Sequence, residues 1–269
     1  MKIDVCVEMA LTDLPYEQRI EHAANAGFDL VEFWFHDMTF GAGAGQPKDP
    51  AAIRQACEAF GVGVNNVVVN APDGGHGGAP VKAEDLNLFL DRLAETIEFC
   101  KQIGCSKGIT CTGNLVDGLT REQMRANVEN VYARGAELAA AHDFTLLLEP
   151  LNTHVDHPGY YLDSSSEGAE IVRTIGSPNF KLLFDIYHMQ IMEGNIIAKI
   201  EREIDVIGHF HSAGVPGRHE LMGGELDYAQ IVRRIEAMGY TDAFGLEYSP
   251  LMPADESLRA TKVYLGVGA

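Results

Sequence analysis

The chain of 269 residues is 46% hydrophobic and 22% charged, a composition that suits one domain with a sizeable core and argues against global disorder. Its formal net charge is −19, from 39 acidic and 20 basic side chains, which repels phosphate backbones and anionic lipid and disfavours nucleic-acid and membrane-surface roles. The five cysteines, Cys6, Cys57, Cys100, Cys105 and Cys111, form no CxxC pair and read as free, mostly buried thiols of a reducing compartment.

In chain order, the first apolar, β-branched run is 3–9 (IDVCVEM); no basic and apolar leader precedes it, so a cytoplasmic protein is expected. Pro15 suits the first turn of a helix running to about Ala26, and Gly27 supplies its end. The second run is 28–34 (FDLVEFW), followed by the glycine-rich segment 36–49. A third run, 62–69 (VGVNNVVV), leads into a second glycine-rich segment, 70–83. Leu86, Leu90, Leu93, Ile97 and Cys100 then step by four, three, four and three, which places them on one helical face. After the run 106–111, Thr120 and Gln123 fit a capping box, and Met124, Val128, Val131, Gly135 and Leu138 repeat the helical spacing. The run 144–149 (FTLLLE) precedes a second capping box at Ser164 and Glu167, and the runs 180–185, 205–211 and 242–248 complete a set of eight. No run approaches the roughly 20 apolar residues of a membrane span.

Strands alternating with helices imply a parallel sheet with right-handed crossovers. Eight such units in 269 residues close most naturally into a single (β/α)8 barrel covering residues 1–269, an α/β fold. No GxGxxG follows any run, which counts against an open nucleotide-binding sheet. In a barrel the segments 36–49 and 70–83 lie on the catalytic face, and their glycine content suits lids.

Barrel chemistry gathers at the C-terminal ends of the strands. Runs five, six and seven end in Glu149, Asp185 and His211, and run eight ends one residue past Glu247. Four consecutive strand ends bearing metal-ligand side chains would be costly to bury together without a counter-charge. A divalent cation supplies it: three carboxylates and an imidazole suit Mn²⁺ or Mg²⁺, and also admit Co²⁺ or Zn²⁺. His209 shares a strand face with His211 and lies deeper, as a core group or a support for a ligand. Glu8 and Glu32 close the first two runs and are pocket candidates. His188 and Arg218 follow runs six and seven closely enough to reach a bound substrate.

At these residues the sequence resembles the hydroxypyruvate isomerase family of the xylose isomerase-like TIM barrels, within the sugar isomerase/epimerase superfamily. The resemblance is carried by Glu149-Pro150-Leu151-Asn152, Pro158-Gly159-Tyr160-Tyr161-Leu162 and Asp185-Ile186-Tyr187-His188-Met189-Gln190. It continues through Val215-Pro216-Gly217-Arg218-His219-Glu220, Gly224-Glu225-Leu226-Asp227-Tyr228 and Gly245-Leu246-Glu247-Tyr248. It implies that Glu149 and Glu247 are both metal ligands and the acid/base pair, and that Asp185 and His211 complete the ligand set. It implies isomerisation of a small α-hydroxy-carbonyl substrate by enediolate proton transfer, hydroxypyruvate giving 2-hydroxy-3-oxopropanoate. His188 would meet a substrate oxygen and Arg218 a substrate carboxylate. A homo-oligomer is also expected. Histidine at 211 is shared with the ketose 3-epimerases, the second reading, but Thr153-His154-Val155 stands where they carry Arg-Phe-Glu. Metal-assisted phosphodiester hydrolysis and a non-catalytic sugar-acid binding protein are the remaining alternatives. The acidic charge opposes the first and the filled ligand positions oppose the second.

Overall fold

A computed structural model describes residues 1–266. Its eight strands are β1 (Lys2–Cys6), β2 (Leu30–Phe33), β3 (Gly63–Val68), β4 (Lys107–Thr110), β5 (Thr145–Leu148), β6 (Phe180–Asp185), β7 (Ile207–Ser212) and β8 (Ala243–Leu246). They pair in parallel, in sequence order, and close where β8 returns to β1 with Lys2 opposite Ala243 and Val5 opposite Leu246. The eight runs are thus eight strands of one closed barrel. No helix among the described residues is long and apolar enough to cross a membrane.

The helices form the outer ring, and their apolar stripes face the strands. In Leu86–Ile103 the fully buried stripe is Phe89, Leu93, Ile97 and Cys100, while Leu86 and Leu90 are only partly covered. Arg121–Ala140 buries Met124, Val128, Val131 and Gly135. A Cβ on Gly135 would lie 3.0 Å from Phe89 and 3.3 Å from Leu146, so the missing side chain sets how closely this helix approaches its neighbours. Thr120 and Gln123 make the full capping box. Ser164 makes only half of one: it accepts from the Glu167 amide, but the Glu167 carboxylate turns to Tyr161 Oη and Arg121, 2.7 Å from each. All five cysteines are buried and free of disulfides.

Two expectations change. The first run stops at Cys6, because Val7–Ala10 forms a single helical turn that carries Glu8 off the strand line. Glu8 therefore closes no strand; it pairs with buried Lys48 at 3.1 Å and with the Tyr16 hydroxyl. The segment 36–49 is pinned rather than hung as a lid. Buried Lys48 donates to the carbonyls of Phe35 and Met38, and buried Arg19 to those of Phe40 and Ala42. Arg92 then ties this segment to 70–83, forking onto Asp37 at 2.8 and 2.6 Å while His76 meets the same carboxylate at 3.0 Å.

Candidate active site

The closed barrel brings Glu149, Asp185, His211 and Glu247 together at the C-terminal rim, each offering one ligand atom within 4.8 Å of the others. The backbone fixes them. Glu149 and Glu247 stand one residue beyond β5 and β8, yet their amides still bond to neighbouring strands, to Thr110 at 3.1 Å and Ser212 at 3.0 Å. Asp185 ends β6 and caps the helix Ile186–Met192: its Oδ1 accepts the amides of Tyr187 at 2.7 Å and His188 at 3.2 Å. That bond fixes the carboxylate and starts the helix that carries His188.

His211 Nδ1 lies 3.4 Å from Glu149 Oε1 and 3.4 Å from Glu247 Oε2, while Nε2 faces Glu32 at 2.9 Å. Glu149 Oε1 and His211 Nδ1 are buried without a hydrogen-bond partner. With the three carboxylates (Glu149, Asp185 and Glu247) ionised and His211 neutral, as metal ligands must be, the one guanidinium of Arg218 leaves a charge of −2. A divalent ion balances that charge and satisfies the orphaned atoms, so the donor set fits one.

The two glutamates are held differently. Glu247 receives the Trp34 indole N–H on Oε1 at 3.2 Å and the Arg218 guanidinium on Oε2. Burial pushes its carboxyl up, but Arg218 and His211 outweigh that and hold it well below the usual carboxylate range. Burial raises Glu149, which lacks such a clamp, above the ordinary value. Burial, then the charge of Glu149, lifts Asp185 to about 7. Burial works to lower the proton affinity of His211, yet Glu32 and Glu247 drive it well above the usual imidazole range. A cation there takes the place of a proton.

His188 is fully buried. Its Nδ1 accepts from the Asn152 backbone amide at 3.2 Å and the Asn152 side chain at 2.7 Å, which leaves the proton on Nε2. Nε2 has no hydrogen-bond partner and lies 3.5 Å from Asp185 Oδ2. Burial, and then Arg218, keep the ring neutral by holding its proton affinity well below the ordinary value. Arg218 stacks over Tyr187 at 5.2 Å and leaves its Nε unpartnered. Its backbone takes φ 59°, a conformation that side-chain-bearing residues keep only where their surroundings demand it. A cavity of about 510 Å³ opens above the cluster. Glu149, His188, Arg218 and Glu247 line one side, and Trp34, Phe35, Val68 and Ile109 line the other. Glu32 and His209 lie below this floor, inside the barrel and fully buried.

Sequence reasoning missed Trp34 and Asn152. Trp34 ends the second run, as Glu149 ends the fifth, and Asn152 closes the Glu-Pro-Leu-Asn motif, so both carried a positional signal.

Residues 20–264 match the family model described as xylose isomerase-like TIM barrel. The chain is 32% identical to 2-oxo-tetronate isomerase of Cupriavidus necator over 267 residues, 97% of each chain. It is 31% identical to the putative hydroxypyruvate isomerase of Homo sapiens, covering 94% of this chain and 90% of that one. The crystal structure of AP endonuclease, family 2, from Brucella melitensis superposes with a TM-score of 0.87 at 26% identity, over 98% of this chain and 99% of that one. With its closed barrel, this chain belongs to the xylose isomerase-like TIM barrel family and is an isomerase.

Proposed function

We propose that this isomerase is metal-dependent and acts on a small 2-oxo acid bearing a hydroxyl on the neighbouring carbon, with hydroxypyruvate converted to 2-hydroxy-3-oxopropanoate. The observation that carries the reading is the set of four buried ligand-type side chains within 4.8 Å, beside a guanidinium and a neutral imidazole that face the same cavity. Glu149, Asp185, His211 and Glu247 would hold the ion. When bound, Mn²⁺ or Mg²⁺ acts as a Lewis acid that acidifies the C–H next to a carbonyl and stabilises the charge that develops.

The chain's own groups divide the remaining work. Glu149, with a raised proton affinity and an unpartnered Oε1, accepts the proton from the hydroxyl-bearing carbon. The His188 Nε2–H is the donor for a substrate oxygen. Arg218 meets the substrate carboxylate as a fork, with its free Nε as one prong. A carboxylate that engages Arg218 competes with Glu247 for the guanidinium, so the proton affinity of Glu247 rises as substrate binds. Glu247, protonated from solvent in that state, then delivers a proton to the adjacent carbon, the hydroxyl proton passes to the former carbonyl oxygen, and Glu149 returns its proton to solvent, which completes the exchange through an enediolate. Trp34, Phe35, Val68 and Ile109 keep water from that intermediate.

A four-carbon substrate is the second reading. The cavity of about 510 Å³ exceeds what a three-carbon acid fills, and the Cupriavidus relative is named for 2-oxo-tetronate. The endonuclease activity named for the Brucella protein would need to approach a phosphate backbone, which a net charge of −19 opposes. A substrate panel resolves these readings: metal-loaded protein with hydroxypyruvate, 2-oxo-tetronate, tetruloses, pentuloses and hexuloses, the products identified by NMR. Turnover confined to the oxo acids is expected. Efficient C3 epimerisation of ketoses with no turnover of hydroxypyruvate replaces the isomerase assignment with the epimerase one.

A further inference from the structure

Below the rim, the barrel interior holds Glu32 on β2, Asn66 on β3 and His209 on β7, all fully buried. Glu32 Oε1 approaches His211 Nε2 to 2.9 Å as an ion-pair contact, and neither atom has a hydrogen-bond partner. The other carboxylate oxygen, Oε2, is tethered: it accepts from Asn66 Nδ2 at 2.5 Å and sits 3.2 Å from His209 Nε2. The strand β8 makes room for this set. A Cβ on Gly245 would fall 2.7 Å from His211 Cδ2, 3.0 Å from Glu32 Oε1 and 3.1 Å from His209 Nε2. Any side chain there would force the imidazole and the carboxylate to move.

We infer that Glu32 is a positioning residue, whose carboxylate keeps the His211 proton on Nε2 and so presents the Nδ1 lone pair to the site between Glu149 and Glu247. A neutral imidazole has one donor nitrogen and one acceptor nitrogen, and the nitrogen facing an anion carries the proton. The other is then Nδ1, which lies 3.4 Å from both catalytic carboxylates. Donation of the second ring N–H to a carboxylate raises a ligating histidine's basicity and fixes its orientation. Asn66 and His209 hold Glu32 in turn, so a column of buried polar groups, and not the rim alone, sets the ring's direction.

This inference rests on the metal reading above, and the test separates the two. Metal-free wild type, Glu32→Gln and Asn66→Ala are titrated calorimetrically with Mn²⁺, with folding checked by circular dichroism. The ring nitrogens of His211 are followed by ¹⁵N NMR in wild type loaded with diamagnetic Zn²⁺. Wild type should bind one ion per chain, with affinity about 10–100-fold weaker in Glu32→Gln and reduced by a smaller factor in Asn66→Ala. The NMR spectrum should place the His211 proton on Nε2. If Glu32→Gln does not fold, that proton's position decides. A folded Glu32→Gln with wild-type affinity, or a proton on Nδ1, overturns the role of Glu32. Two ions in wild type, one of them lost in Glu32→Gln, make Glu32 a ligand and also overturn it. A wild type that binds no divalent ion removes the metal reading itself.

Discussion

The two sides of the barrel mouth differ in kind. Glu149, Asp185, His211 and Glu247 stand within one residue of the ends of β5 to β8, whereas at the ends of β2 to β4 the wall is Trp34, Phe35, Val68, Ile109 and Cys111. The interior is divided too, but along another line, with polar Asp4, Glu32, His209 and His211 on β1, β2 and β7 and apolar Val68, Ile109, Leu147 and Leu183 on β3 to β6. Charged groups sit where strand backbones fix them, and the apolar wall lowers the local dielectric and strengthens every interaction they make. In the proposed mechanism the polar side carries the chemistry, and the apolar side shapes what enters.

The sharpest way to break this division is to remove a charge from the polar side. Glu149→Gln or Glu247→Gln should lower kcat by about 10²–10⁴-fold while the barrel stays folded, with metal content measured in the same samples. A variant that keeps both its metal and near-wild-type turnover takes that glutamate out of the mechanism. Next in size is Arg218→Lys, which keeps the charge but loses the fork. It should weaken kcat/KM for hydroxypyruvate by roughly 10–100-fold, the equivalent of about 1.5–3 kcal/mol for hydrogen bonds to a charged group. Any residual activity on neutral ketoses should change much less; equal losses on both would detach Arg218 from the carboxylate.

How far the sequence reached follows the same division. Each of the four rim residues ends an apolar run or, as Glu247 does, stands one position inside its end, so its place on a barrel was visible without coordinates. What pairs with what was not visible, because barrel register sets it across long stretches of chain. Asn152 meets His188 from 36 residues away, Trp34 meets Glu247 from 213, and Glu32 meets His211 across the barrel interior. Glu8 was misplaced because a helical turn begins at Val7, one residue after a run whose apolar pattern continues unbroken. The glycines of 36–49 suggested motion, but the cations that pin the segment, Arg19 and Lys48, show their role only once they are seen buried.

Smaller effects sharpen the contrast within the interior. Gly245→Ala introduces a Cβ 2.7 Å from His211, and overpacking of this kind should cost about 1–3 kcal/mol, read as a lower midpoint of denaturant unfolding. An unchanged midpoint would mean that the polar column has slack. Smaller still is a pH effect in metal-free protein. Asp185 holds its proton up to about 7 in the fold, well above an ordinary aspartate. Between those two values the folded state binds a proton that the unfolded chain has released, so stability falls as pH rises through that window. Thermal midpoints in the presence of chelator should show this decline, and Asp185→Asn should flatten it. A decline that is identical in the variant would assign it to other groups.

The central claim is that the four rim residues hold an ion on which turnover depends. The most direct measurement is the rate of hydroxypyruvate isomerisation by protein stripped with chelator and verified metal-free, then titrated with Mn²⁺ or Mg²⁺ while bound metal is counted. The expected result is no turnover without metal and full recovery at one ion per chain. Full turnover by protein shown to carry no metal contradicts the claim.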